Sequence, residues 1–321
     1  MSARPRLGPA LAGLVILIAT LAAGCSTPSS SVGPTRTTVA TTLDQVMVEG
    51  KAGEKPKITV PAPFSVQDSL RTVMATGTGA AAKAGYRVTI QYVGVNGTDG
   101  TEFDTSFGVR PTSFVLSAAN NLPGLVTALE GVTAGSRLLL ALPPERAYGL
   151  KGFPKAGIGP TDTIVMVVDL VAVQPVLARA TGTAAKPKAG LPTVTLGAKG
   201  APTITLPKGD PPATLVVQPL IVGKGAKVAR GQQITVHYTG VLWPGGTVFD
   251  STWKQAVGST FSIGTGALIA GWDRGLVGQP VGSQVLLIVP PDDGYGAEGK
   301  PEIKIKGTDT LVFVVDILDA A

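Results

Sequence analysis

The second half of this chain repeats the first half at a nearly constant offset. Tyr92 recurs as Tyr238, and Phe103-Asp104 as Phe249-Asp250, both 146 positions on. Leu122, Leu125, Tyr148-Gly149 and Met166 recur as Ile269, Trp272, Tyr295-Gly296 and Phe313, 147 positions on. One residue inserted between Asp250 and Phe261 accounts for the step. A repeat this long means one fold built twice. The 321 residues are enough for two domains with cores of their own.

Apolar residues make up 44% of the chain, as in globular proteins rather than disordered ones. The net charge of +6 comes from lysines and arginines that are scattered and not interleaved with exposed aromatics. No nucleic-acid partner is expected from that pattern. Residues 1–24 read as an export signal. Arg4 and Arg6 form a basic start, and Ala10 to Ala23 is an apolar run of 14 residues, too short to span a bilayer. The run ends in Leu21-Ala22-Ala23-Gly24-Cys25, which resembles a bacterial lipobox, although Ala22 stands at the usual leucine position. Cys25 is the single cysteine, so no intramolecular disulfide is available to it. The expectation is an exported protein, lipidated at Cys25 and held at the outer face of the cell membrane or in a periplasm-like space. Each buried CH₂ of an acyl chain adds about 0.8 kcal/mol. Cleavage and release as a soluble protein is the alternative.

Residues 25–54, rich in Ser, Thr, Gly and Ala, read as a lipidated cysteine and flexible tether. Domain 1 spans 55–173, a Pro/Gly/Ala/Lys-rich linker spans 174–199, and domain 2 spans 200–321. Each domain opens on an extended piece between prolines, Pro56 to Pro61 and Pro202 to Pro207. Val88, Ile90 and Tyr92, and likewise Ile234, Val236 and Tyr238, alternate as in half-buried strands. Leu138 to Leu142, Ile164 to Val168, Val285 to Val289 and Leu311 to Val315 are continuous apolar runs of strand type. Leu268, Trp272 and Leu276 share one face of a helix of about two turns, and Leu122, Leu125 and Leu129 do the same in the first copy. Gly271 and Gly275 weaken that helix, so burial must hold it. The expected class is α+β: two tandem domains, each an antiparallel sheet wrapped on one short helix.

The chain lacks the residues of several chemistries. His237 is the only histidine, and its counterpart is Gln91. It reads as a surface or internally satisfied residue. There is no G-x-S-x-G, no phosphate-binding glycine loop and no H-E-x-x-H. No metal or cofactor is expected. An apolar and aromatic set remains in copy two: Gly223-Lys224-Gly225, Gly231, His237-Tyr238-Thr239-Gly240, Phe249-Asp250-Ser251, Phe261, Leu268-Ile269, Gly271-Trp272, Pro290-Pro291, Tyr295-Gly296 and Leu311-Val312-Phe313.

In order and spacing this set resembles the FKBP family of peptidyl-prolyl isomerases over residues 215–319, and copy one resembles it more loosely over 68–173. The resemblance implies roles for particular residues. Trp272 would be a pocket floor, with Tyr238, Phe249 and Phe313 as walls. Leu268 and Ile269 would form a rim whose backbone meets substrate. Asp250 would be the buried carboxylate, Tyr295 a phenol bonding the substrate carbonyl, and Ile303 part of an overhanging loop. Ser259 stands where a wall phenylalanine is common, and the loop carries Lys300, Lys304 and Lys306, with Lys300 near a usual histidine. Taken singly, Trp272, Phe249 and Phe313 read equally well as core, and Asp250 as a turn residue.

Rotation about an X-Pro bond is slow because of amide resonance, and it needs neither nucleophile nor proton transfer. An apolar pocket that binds the twisted bond more tightly suffices, at about 1.4 kcal/mol per tenfold. A second candidate pocket in copy one comprises Tyr92, Phe103, Asp104, Leu122, Leu125, Tyr148 and Met166. Its Leu125 floor is smaller and less flat than tryptophan, and Asn121 replaces the first rim aliphatic. The expectation is isomerisation by domain 2, with domain 1 weak or inactive. Partners would be unfolded or flexible proline-containing segments and macrolides of the tacrolimus class. The rival is a non-catalytic peptide-binding chaperone or adaptor of the cell envelope.

Overall fold

The structure, a computed structural model, describes residues 39–118 and 121–321. The expected export signal and Cys25 lie outside them. In domain 1 the strands are β1 Met47–Glu49, β2 Lys57–Thr59, β3 Leu70–Ala75, β4 Arg87–Asn96, β5 Glu102–Thr105, β6 Thr112–Val115, β7 Arg137–Leu142 and β8 Ile164–Gln174, with helix α1 Pro123–Leu129. In and before domain 2 they are β9 Gly182–Ala184, β10 Thr193–Leu196, β11 Pro202–Thr205, β12 Val216–Gly223, β13 Gln233–Trp243, β14 Val248–Ser251, β15 Ser259–Ser262, β16 Gln284–Val289 and β17 Thr310–Ala320, with helix α2 Ala270–Leu276. All pairings between these strands are antiparallel.

The two main sheets share an order. Domain 1 runs β3-β7-β8-β4-β5 with β6 also on β4, and domain 2 runs β9-β12-β16-β17-β13-β14 with β15 also on β13. Each sheet wraps one short helix, the expected α+β class. The helix faces also follow the expectation: Leu125, Val126 and Leu129 of α1, and Trp272 and Leu276 of α2, are buried. The helices begin slightly later than the apolar period suggests. Leu122 and Ile269 are extended cap residues, not helical ones.

The continuous apolar runs have a clear cause. Along β7, Leu138, Leu140 and Leu142 face the helix side, while Leu139 and Ala141 face a second apolar layer. Along β16, Val285, Leu287 and Val289 face the helix, while Leu286 and Ile288 face the other way. Strands covered on both faces need apolar residues at every position. The second cover corrects two boundaries drawn from composition. The described part of the 25–54 tether is folded: Ala40 and Val46 are buried, and β1 pairs with β2 across the back of the sheet. The 174–199 linker contributes β9 to the sheet edge and β10 to a hairpin with β11, which lays Leu191, Val194 and Ile204 on that back face. Their apolar residues are sparse among Pro, Ser and Gly, so no periodic signal marks them.

Beneath these covers lies a matched polar pair. In domain 1 the buried Arg137 binds Asp169 in two places, at 2.6 and 2.8 Å, and donates to the Gly50 and Glu54 carbonyls. In domain 2 the same positions hold Gln284 and Asp316. Gln284 donates to Asp316 at 2.7 Å, and the Ala180 N–H donates to it at 2.7 Å. Burial raises the Asp316 carboxyl above its usual value despite these bonds. The domains meet where Arg87 of β4 forms an ion pair with Asp319 of β17 and donates to the Ala320 carbonyl at 3.1 Å.

Candidate active site

The concave side of the domain 2 sheet, the α2 N-terminus and two loops enclose a cavity of about 450 Å³. Tyr238 projects from β13, Phe313 from β17 and Trp272 from the first turn of α2. Adjacent residues Phe249 and Asp250 both line it, because the β13–β14 ladder shifts register beside Gly240. Gly240 is required there: a Cβ would meet Phe249 Cζ at 2.5 Å, and Gly94 stands in the same relation to Phe103 at 2.6 Å. Leu268 and Ile269 come from the approach to α2. Tyr295 follows the turn after Pro290-Pro291, and Ile303 ends a 3-10 turn in the overhanging loop.

All nine residues picked from the sequence therefore line one cavity: Tyr238, Phe249, Asp250, Leu268, Ile269, Trp272, Tyr295, Ile303 and Phe313. Phe261, Ala267, Ala270, Gly294 and Lys300 complete it. Phe261 was visible in the motif set, and its counterpart Phe114 in copy one was a usable signal. Ser259, expected near a wall position, lies outside the cavity, and its hydroxyl bonds Gln255 at 3.3 Å. Phe261, two residues on along β15, lines it instead.

The rings form an edge-on box. Trp272 meets Tyr238, Phe261 and Phe313 at centroid distances of 5.1, 5.6 and 5.4 Å, each within about 7° of perpendicular. Phe249 meets Phe313 the same way at 5.5 Å. Edge-to-face contacts of this kind favour a rigid arrangement. The Trp272 Nε1–H is buried with no hydrogen-bond partner among the described residues. That leaves an unpaired donor at the aromatic floor of the cavity.

The Tyr238 hydroxyl donates to Asp250. Burial, then the bond to Asp250 and its charge, hold the phenol well above its ordinary value, so it stays protonated. Lys300 extends over the Tyr295 ring, 5.2 Å from its centre. His237, on the opposite face of β13, is buried and satisfied. It stacks on Trp253 at 4.7 Å and bonds Thr252 at 3.1 Å, and burial lowers its pKa.

Domain 1 has a corresponding cavity of about 400 Å³. It brings together all seven residues expected there, Tyr92, Phe103, Asp104, Leu122, Leu125, Tyr148 and Met166, and adds Ile90, Thr112, Phe114 and Asn121. Tyr92 donates to Asp104 at 2.6 Å, as Tyr238 does to Asp250. Above it, Phe153 stacks on Tyr148 at 5.4 Å where domain 2 has Lys300 over Tyr295. Among the described residues no group of three or more His, Cys, Asp or Glu side chains is placed to hold a metal.

Residues 78–171 and 224–318 both match the FKBP-type peptidyl-prolyl cis-trans isomerase family. The chain belongs to that family. An FK506-binding protein of Streptomyces anulatus is 38% identical over 36% of this chain and 94% of its own length. A probable FK506-binding protein of Corynebacterium glutamicum is 41% identical over 37% of this chain and 98% of its own. The solved structure of FkpA from Escherichia coli aligns at 37% identity over 33% of this chain and 48% of that one, with a TM-score of 0.31. Membership rests on the family match, which covers both repeats.

Proposed function

We propose that domain 2 is a peptidyl-prolyl cis-trans isomerase acting on proline-containing segments of exported proteins, and that domain 1 holds such segments while turning them over weakly. The observation that carries this reading is the Trp272 box. A flat indole floor ringed by Tyr238, Phe261 and Phe313 accepts a proline ring out of water. Removing the X-Pro amide from water favours the twisted bond, whose carbonyl and nitrogen have lost resonance and are less polar. Asp250 holds the Tyr238 phenol in place, and Tyr295 stands at the mouth to meet a substrate carbonyl. No group needs to gain or lose a proton. Macrolides of the tacrolimus class would compete for the same box.

Domain 1 keeps the Tyr92–Asp104 bond but has Leu125 and Met166 where domain 2 has Trp272 and Phe313. At its mouth the exposed Phe153 ring stacks on Tyr148. That favours holding a chain over a tight fit to one proline. The proposal extends to the leader: lipidation at Cys25 would anchor the protein at the outer face of the membrane.

Proline-isomer exchange in a model peptide tests the enzyme reading on the full chain. Acceleration is expected, largely lost in Trp272→Ala and Asp250→Val. No acceleration by the unmutated protein leaves the chaperone or adaptor as the correct function. Activity undiminished by both variants would transfer catalysis to domain 1. Mass spectrometry of the mature N-terminus distinguishes an acylated Cys25 from a released form.

A further inference from the structure

A third cavity, of about 360 Å³, lies between the domains beside the domain 1 pocket. It is lined by Thr112, Ser113, Phe114 and Val115 from β6 on one side, and by Val257, Gly258, Ser259 and Thr260 leading into β15 on the other. Consecutive residues line it on both sides. A sheet face would show alternate residues, so the cavity looks onto two strand edges. Among the described residues β6 pairs only with β4, and β15 only with β13. The register fixes which backbone groups project into the gap. Leu116 N–H bonds the Tyr86 carbonyl and Ile263 N–H bonds the Gln232 carbonyl, so their alternates at Phe114 and Phe261 also turn inward. Ser113, Val115 and Thr260 turn their backbone groups outward. The Val115 carbonyl is already capped by Asn121 at 3.1 Å, whereas Ser113 and Thr260 offer an N–H and a carbonyl each.

Three further features suit this gap to an extended chain. It is bridged at one side by the part-buried Arg87–Asp319 pair and the Arg87 bond to Ala320. Gln233, Thr235, Gln255 and Ser259 contribute uncharged polar side chains to its lining. It is also continuous with the domain 1 pocket, since Thr112, Phe114 and Asn121 line both.

We infer that the interdomain gap binds an extended polypeptide by backbone pairing to the β6 and β15 edges, as the continuation of a chain whose proline sits in the domain 1 pocket. Backbone pairing is indifferent to side-chain identity, so this site would add affinity for unfolded chains without demanding a sequence. The inference rests on reading the domain 1 pocket as a proline site.

The test compares two probes on the full chain: a blocked Ala-Leu-Pro-Phe peptide, and the same core extended by six Ser/Thr/Val residues at each end. Hydrogen exchange should slow at Ser113 and Thr260 with the long probe and not with the short one. The long probe should bind about tenfold more tightly. Ser113→Pro with Thr260→Pro removes the outward donors and spares the inward ladder, a substitution edge strands tolerate. It should abolish the gain and leave short-probe affinity unchanged. A gain that survives both prolines, or no added protection at these amides, overturns the inference. Protection at Ser113 and Thr260 with no perturbation of Tyr92 or Tyr148 would support the gap site and refute the proline reading of domain 1.

Discussion

Domain 1 and domain 2 share a sheet order, a helix, a Tyr–Asp hydrogen bond and a glycine under a phenylalanine ring, yet they spend their aromatic residues differently. Domain 2 places Tyr238, Phe261 and Phe313 edge-on about Trp272. Domain 1 fills the floor and last wall with Leu125 and Met166 and places its extra ring, Phe153, at the mouth on Tyr148. The difference reverses beneath the sheet, where domain 1 has the stronger polar anchor, the Arg137–Asp169 ion pair, and domain 2 puts the uncharged Gln284 in place of the arginine beside Asp316. Duplication preserved the scaffold and let the pocket and the rear anchor diverge separately. The pocket bears on chemistry, and the anchor bears on how firmly the preceding segment is attached.

Breaking the rear anchors should give the largest effect. Arg137→Ala strands the Asp169 carboxylate and frees the Gly50 and Glu54 carbonyls. A cost of about 3–5 kcal/mol to domain 1 is expected, as for loss of one partner of a buried pair. Gln284→Ala leaves Asp316 its Ala180 N–H and should cost domain 2 about 1–3 kcal/mol. Hydrogen exchange resolves the two domains, and early exchange of residues 40–54 should appear in Arg137→Ala alone. Equal losses in both variants would show that the arginine adds nothing over the glutamine as the partner of the buried aspartate.

The pocket comparison comes next. Trp272→Leu gives domain 2 the floor of domain 1 and removes three perpendicular ring contacts. Domain 2 should lose about 2 kcal/mol of stability and about tenfold in kcat/KM for a prolyl peptide, equivalent to 1.4 kcal/mol. The reciprocal Leu125→Trp/Met166→Phe change, made on a Trp272→Ala background, should raise the residual activity of the chain. If it does not, the difference between the domains lies at the mouth, in Phe153 against Lys300, and not at the floor.

Much of this is legible in the sequence. Repeat spacing marked the two domains, and residues carrying rings or charge, such as Trp272 and Asp250, marked the cavity. The parts that escaped have a common cause. Residues 40–54 and 180–199 fold because a few apolar side chains, among them Val46 and Leu191, find the back of a sheet built elsewhere in the sequence. Such tertiary burial leaves no local period. Ser259 and Phe261 share a face of β15, so what separates them is distance along the strand from the cavity, which no local period records. The interdomain gap is bridged by Arg87 and Asp319, more than two hundred residues apart, and no motif joins them.

The smallest expected effect concerns His237, whose counterpart in domain 1 is Gln91. Burial keeps the ring neutral by lowering its pKa from the ordinary 6.5. The unfolded chain takes up the proton more readily than the folded one, so domain 2 should lose stability as pH falls through 6.5 toward the depressed folded value. His237→Gln keeps a partner for Thr252 and carries no titrating group. It should change stability at pH 7.5 by about 0.5 kcal/mol or less and flatten the profile between pH 7 and 5. The three tryptophans, Trp243, Trp253 and Trp272, all lie in domain 2, so denaturation followed by indole fluorescence reports that domain alone. An unchanged slope in the variant would assign the acid sensitivity to carboxylates instead. Asp316 would not supply it: its raised pKa means that the folded state holds the proton longer, which stabilises the domain as pH falls.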